Sequence, residues 1–176
     1  MNIWFGIDVD NYYKDVKKKV QKIEKDLNIT LGMILPYHIS LKMSFNVSDS
    51  IKDDVIDTLI NYFKCLATFV VETKGIEKHD NIIWVRMKKS DILNNIHIDL
   101  NSLLLEKYSI SLHEYDLDFL FHTTLFMDDD KDKISNAFKL IKDIEVPKEM
   151  TIDKYLIGVS DTGKPGTYKI IKEIRI

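Results

Sequence analysis

A single cysteine, Cys65, occurs in 176 residues. One thiol builds no disulfide framework and no cysteine-ligated zinc site, so a reducing compartment is expected, which places the chain in the cytoplasm. Proline is scarce, at three residues, and glycine nearly so, at six. No stretch rich in either marks a linker, so one domain over residues 1–176 is expected. Long apolar runs are also missing. The opening Met-Asn-Ile-Trp-Phe-Gly-Ile-Asp turns acidic without a basic start and a long apolar core, unlike a signal peptide. Nothing approaches a membrane span. Nor is there an excess of positive charge: 25 basic against 28 acidic residues give a net charge of −3. A protein that coats long duplex nucleic acid needs a broad basic surface, so that class of partner is excluded, whereas a small anionic ligand in a local pocket is not.

What is present is periodicity. Hydrophobic residues make up 45% and charged residues 30% of the chain, the balance of a globular domain with a real core. Ile3–Val9 reads as a strand. The segment from Tyr12 to Leu27 carries Val16, Val20, Ile23 and Leu27 at helical spacing. Leu35–Val47 is extended, and Ser48-Asp49-Ser50 caps a helix bearing Val55, Leu59 and Phe63. Thr68–Glu77 and Ile82–Lys88 form a hairpin around residues 78–81. Ser90-Asp91 starts a helix with Ile92, Ile96, Leu100, Leu103 and Leu104. Phe119–Met127 is a strand, and a helix with Ile134, Phe138 and Ile141 follows it. A last hairpin joins Met150–Val159 to Tyr168–Ile174 through residues 163–166.

This order repeats. Each half reads helix, strand with a histidine, helix, hairpin. The repeat predicts an α+β fold of two pseudo-symmetric lobes, near 1–90 and 91–176 and open to exchange of terminal strands. Each lobe is an antiparallel sheet with helices on its outer face, and a cleft lies between them.

The two histidine strands carry the chemistry. One reads Pro36-Tyr37-His38-Ile39-Ser40-Leu41 and the other Leu120-Phe121-His122-Thr123-Thr124-Leu125. Side chains alternate along a strand, so His38 shares a face with Ser40 and His122 with Thr124. A two-fold relation brings two imidazoles and two hydroxyls to one point. Displacement at phosphorus places the attacking and leaving oxygens on opposite sides. One imidazole can remove a proton while the other supplies one, because an ordinary histidine titrates near pH 6.5. The hydroxyls can donate to the non-bridging oxygens. No metal or other cofactor is required. Lys42 shares the face of Ser40 by alternation and would add positive charge. Trp4 is a candidate for stacking on a base, and Tyr168 and Lys164 for reaching a ligand from the last turn. His79 reads as an exposed turn residue and His97 as part of a polar helix face. His113, near Glu114, Asp116 and Asp118, lacks the tight spacing of a metal site.

His38-Ile39-Ser40-Leu41 and His122-Thr123-Thr124-Leu125 resemble the paired His-x-Ser/Thr motifs of the 2H phosphoesterase superfamily. That superfamily includes the 2′-5′ RNA ligase-like proteins and the 2′,3′-cyclic nucleotide phosphodiesterases. The likeness in element order covers nearly the whole chain. It implies a two-lobed α+β fold and a metal-independent phosphodiesterase acting on a 2′,3′-cyclic phosphate or 2′-5′ linkage of a nucleotide or RNA end. Its catalytic pair would be His38 and His122, with Ser40 and Thr124 on the phosphate. A monomer is expected. The alternative is a nucleotide- or phosphate-binding module of the same fold without turnover.

Overall fold

The computed structural model describes residues 1–29 and 35–176. Strand β1 (Asn2–Asp8) sets the plan. Ile3, Phe5 and Ile7 are fully enclosed, at 0–1% exposure, while Asn2, Trp4, Gly6 and Asp8 face the other way. The alternation written in the sequence thus divides the strand between a core face and a cleft face. Antiparallel to β1 run β2 (His38–Ser40), β3 (Phe45–Asn46) and β8 (Lys154–Ser160), and β9 (Lys169–Arg175) continues the sheet beyond β8. The second sheet has the order β6 (His122–Met127), β5 (Ile82–Met87), β4 (Phe69–His79) and β7 (Glu149–Ile152), again all antiparallel.

Helices cover the outer faces. α1 (Lys14–Leu27) buries Val16, Val20 and Ile23. It packs beside α4 (Lys131–Ile141), and α4 lies on β4, β5 and β6. α2 (Lys52–Lys64) lies against β9. α3 (Asp91–Tyr108) joins α2 where the Tyr108 hydroxyl meets Asp54 at 2.7 Å and Thr58 at 2.6 Å. Ser90 caps α3 by accepting from the Leu93 amide, and Asp130 caps α4 by accepting from the amides of Asp132 and Lys133. The expected cap of α2 is replaced: Ile51 stands at its N-cap, and Ser48 and Ser50 bond to each other at 2.8 Å. One hydrophobic core runs through both halves, from Ile3 and Phe63 to Phe126 and Ile141. No described helix is long and apolar enough to cross a membrane.

The fold is therefore α+β, with two antiparallel sheets and helices packed around them. The sheets do not divide the chain near residue 90. β4 and β5 join the His122 strand, whereas β8 and β9 join β1 and the His38 strand. The helices follow the same exchange, since α1 packs on α4 and β6 and α3 bonds to α2, which lies against β9. Likewise Met150–Val159 is two strands rather than one: it breaks at Asp153, so that β7 pairs with β4 and β8 with β1. The expected long strand 35–47 is reduced to the short β2 and β3.

Candidate functional site

β2 and β6 carry the two motifs into contact with each other. Ile39 and Thr123 are wholly buried, while His38, Ser40, His122 and Thr124 lie half-buried on the opposite face. The rings are held alike. His38 Nδ1 lies 2.8 Å from the carbonyl of Pro36, and His122 Nδ1 lies 2.6 Å from that of Leu120. A carbonyl only accepts, so Nδ1 carries a proton in both rings and Nε2 is left to exchange one with a ligand. Each ring also rests on a tryptophan. Trp4 lies 4.4 Å from His38 and Trp84 4.3 Å from His122, centroid to centroid. Trp4 Nε1 donates to Ser40 Oγ at 2.9 Å. That bond fills an acceptor site on the hydroxyl and leaves its own O–H to donate elsewhere.

Glycine makes this possible on the first sheet. A methyl group on Gly6 would sit 2.6 Å from the Ile39 carbonyl oxygen and 2.8 Å from the Trp4 ring. The first contact is backbone on β2 itself, so relief requires β2 to move. Gly6→Ala is expected to cost about 1–3 kcal/mol from overpacking and to displace His38 and Ser40. Urea unfolding measured beside ligand binding should show both losses.

The electrostatic surroundings differ between the lobes. Burial pushes His38 down to about 4; the Pro36 carbonyl and Asp8 oppose this, and the nearby His122 adds to it. Burial also lowers His122, against the pull of the Leu120 carbonyl and with the help of Arg86. His38 therefore feels the charge of His122. Asp8 stands directly opposite His38 in the β1–β2 ladder, ion-paired with Lys154 at 2.9 Å. Arg86 stands directly opposite His122 in the β5–β6 ladder.

Some expected site residues lie elsewhere. Lys42 is not in the cleft. Strand geometry ends at Ser40, so alternation no longer governs it, and the chain turns Lys42 inward to 2% exposure. Its ammonium pairs with Asp116 at 2.5 Å. Tyr168 ends the turn after β8, its hydroxyl 3.5 Å from the Gly163 carbonyl. That turn adjoins the Asn2 end of β1, whereas His38 pairs at the Asp8 end. His97 is not on a polar surface: it is 8% exposed, with its ring nitrogens 2.7 and 3.0 Å from the carbonyls of Leu41 and Asp116. His79 is exposed as expected, and it stacks on Trp84. His113 caps a short turn, and the Asp116 carboxylate is taken up by the His113 amide and the Lys42 ammonium. Among the described residues no three His, Cys, Asp or Glu side chains are grouped to hold a metal. Trp84, Asp8, Arg86 and Gly6 were not foreseen. A signal for Trp84 existed, because the two tryptophans of the chain each sit in the strand ahead of the helix that leads to a histidine strand.

The fold is the two-lobed 2H phosphoesterase fold. Solved structures that share it include TT0787 of Thermus thermophilus, with a TM-score of 0.62 and 13% identity over 99% of this chain and 97% of that one. Another is Escherichia coli LigT complexed with 3′-AMP, with a TM-score of 0.56 and 14% identity over 99% and 97%. A third is Kluyveromyces marxianus Usb1, with a TM-score of 0.50 and 12% identity over 99% and 98%. No family model matches the sequence. No curated protein matches it either.

Proposed function

We propose that this chain is a metal-independent phosphodiesterase that acts on a 2′,3′-cyclic phosphate or a 2′-5′ linkage of a nucleotide or RNA end. The observation that carries this reading is the matched tethering of two imidazoles. Each Nδ1 is tied to the carbonyl two residues upstream, each ring rests on a tryptophan, and each shares its strand face with a hydroxyl. In the proposed reaction one Nε2 removes a proton from the attacking oxygen as the new P–O bond forms. The other gives a proton to the leaving oxygen as the old P–O bond breaks. Ser40 and Thr124 donate to the non-bridging oxygens. The binding of 3′-AMP by LigT, a protein of the same fold, agrees with a nucleotide in such a cleft. Turnover of 2′,3′-cyclic nucleotides or 2′-5′ oligomers, lost in His38→Ala and in His122→Ala, is the expected result. Activity that survives both substitutions refutes the reading.

The lowered histidines set the pH dependence. The working form holds one proton between the two rings. At pH 7 both are largely neutral, since each lies below its ordinary value. The first proton enters as pH falls, and the second is resisted by the charge of the first. kcat/KM is thus expected to peak on the acid side of pH 6.5 and to fall toward alkaline pH. A pH–rate profile with its maximum above about pH 7.5 contradicts this assignment.

A further inference from the structure

Near-symmetry leaves open which way a substrate lies, and the residues flanking the histidines break that symmetry. β2 and β6 meet at the centre of the site, and β1 and β5 lie one strand farther out on either side. Asp8 on β1 flanks His38, and Arg86 on β5 flanks His122. The acidic flank is closed on itself, because Asp8 is held by Lys154 at 2.9 Å and accepts from the Asp10 amide at 2.9 Å. The basic flank is open. Arg86 is half-buried, and among the described residues no acceptor reaches its guanidinium as a hydrogen bond or ion pair. Glu77 feels its charge, but that carboxylate is bound to Lys74 at 2.9 Å. Across the ladder from Arg86 stands Gly75, where a side chain would meet nothing within 4 Å. Among the described residues, the position across the ladder from Arg86 thus carries no side chain and opens onto free space. Only two of the 25 basic residues are arginines, Arg86 and Arg175. A guanidinium differs from an ammonium in offering a planar fork that fits phosphate.

We infer that Arg86 holds a second phosphate of the ligand, the 5′-phosphate of the nucleoside whose 2′,3′ side lies between the histidines. This rests on the proposed function for the central phosphate. The ribose would span from the β2–β6 junction across the strand spacing of about 4.8 Å to β5. The opposite orientation would bring a phosphate to the carboxylate of Asp8. The site therefore favours nucleotides or RNA ends that carry a 5′-phosphate over nucleosides that lack one, and it reads direction by charge.

The test is calorimetry with adenosine 3′-monophosphate and adenosine 3′,5′-bisphosphate. The wild type is expected to bind the bisphosphate about 10- to 100-fold more tightly. Arg86→Gln is expected to erase that advantage, and Arg86→Lys to keep part of it. A wild type without preference overturns the inference. So does an Arg86→Gln variant that weakens both ligands by one factor, since that would put the guanidinium on the central phosphate. These affinities need no turnover. A preference that depends on Arg86 in a protein without phosphodiesterase activity would sink the enzymatic reading and leave this one standing.

Discussion

His38→Gln and His122→Gln are each expected to lower kcat by about 10²- to 10⁴-fold, the range that one positioned acid or base supplies. Glutamine retains hydrogen bonding but exchanges no proton at neutral pH, so the loss isolates proton transfer. The double variant is expected to fall little further than either single one, because a relay missing one end has already failed. KM should change much less than kcat, provided Ser40 and Thr124 still hold the phosphate. The pH profiles separate the two positions. His122→Gln leaves His38, whose burial sets it at about 4, as the one remaining imidazole in the pair. It also removes a charge that depresses His38, so any residual activity should respond to pH at a somewhat higher value than about 4. Stability is expected to shift little, since both rings are half-buried and each is tied to a carbonyl on its own strand approach. Single-turnover assays beside thermal melts would check this. A variant that melts far below the wild type would indicate that the histidines hold the fold rather than the chemistry.

Much of this site was legible because it depends on short-range rules. Ile39 and Thr123 are buried and their neighbours are not, which is the period of two that the motifs displayed. The cap at Ser90 was legible for the same reason, since a side-chain oxygen reaches an amide three residues away. An exchange of terminal strands was left open by the sequence, but which hairpin joins which sheet was not legible. β4 presents the same alternation whichever sheet it joins, and its partner β7 lies far along the chain. Lys42 was misplaced for a related reason. Alternation holds only while the strand continues, and β2 stops at Ser40. His97 was misread because Asp99 and Asn101 suggested a polar face. Asn101 is itself buried and donates to the His97 carbonyl at 2.9 Å. Polar residues turned inward to meet carbonyls look, in sequence, like polar residues turned outward to meet water.

The misplaced lysine leads to the largest expected effect on stability. Lys42 and Asp116 form an ion pair whose side chains are 1% and 0% exposed. Asp116 also accepts from the Met43 amide at 3.0 Å and the His113 amide at 2.9 Å. Burial pushes its carboxyl up, but these three donors outweigh burial and hold it below its ordinary value. Lys42→Ala removes the cation and leaves the carboxylate enclosed. A loss of about 3–5 kcal/mol is expected, the usual result of removing one partner of a buried pair. In a chain of this length that is about 6–20 °C in Tm. The pH dependence identifies the cause. A carboxyl lowered by folding stabilises the protein above its unfolded value of 3.8, and that contribution is lost as pH falls through the folded value. In Lys42→Ala the carboxyl is no longer held down by the ammonium, so acid neutralises it more readily and the gap from wild type should narrow as pH drops from about 7 toward 4. Urea unfolding at the two pH values measures this, and a gap that stays constant would argue for lost packing instead. The site should feel the change as well. Leu41 follows Ser40 directly and its carbonyl meets His97, which also meets the Asp116 carbonyl. The pair thus fixes the chain where it leaves β2, just beyond the hydroxyl assigned to the phosphate. Lys42→Ala should therefore weaken phosphate binding at temperatures where it is still folded, although its ammonium never faces the cleft.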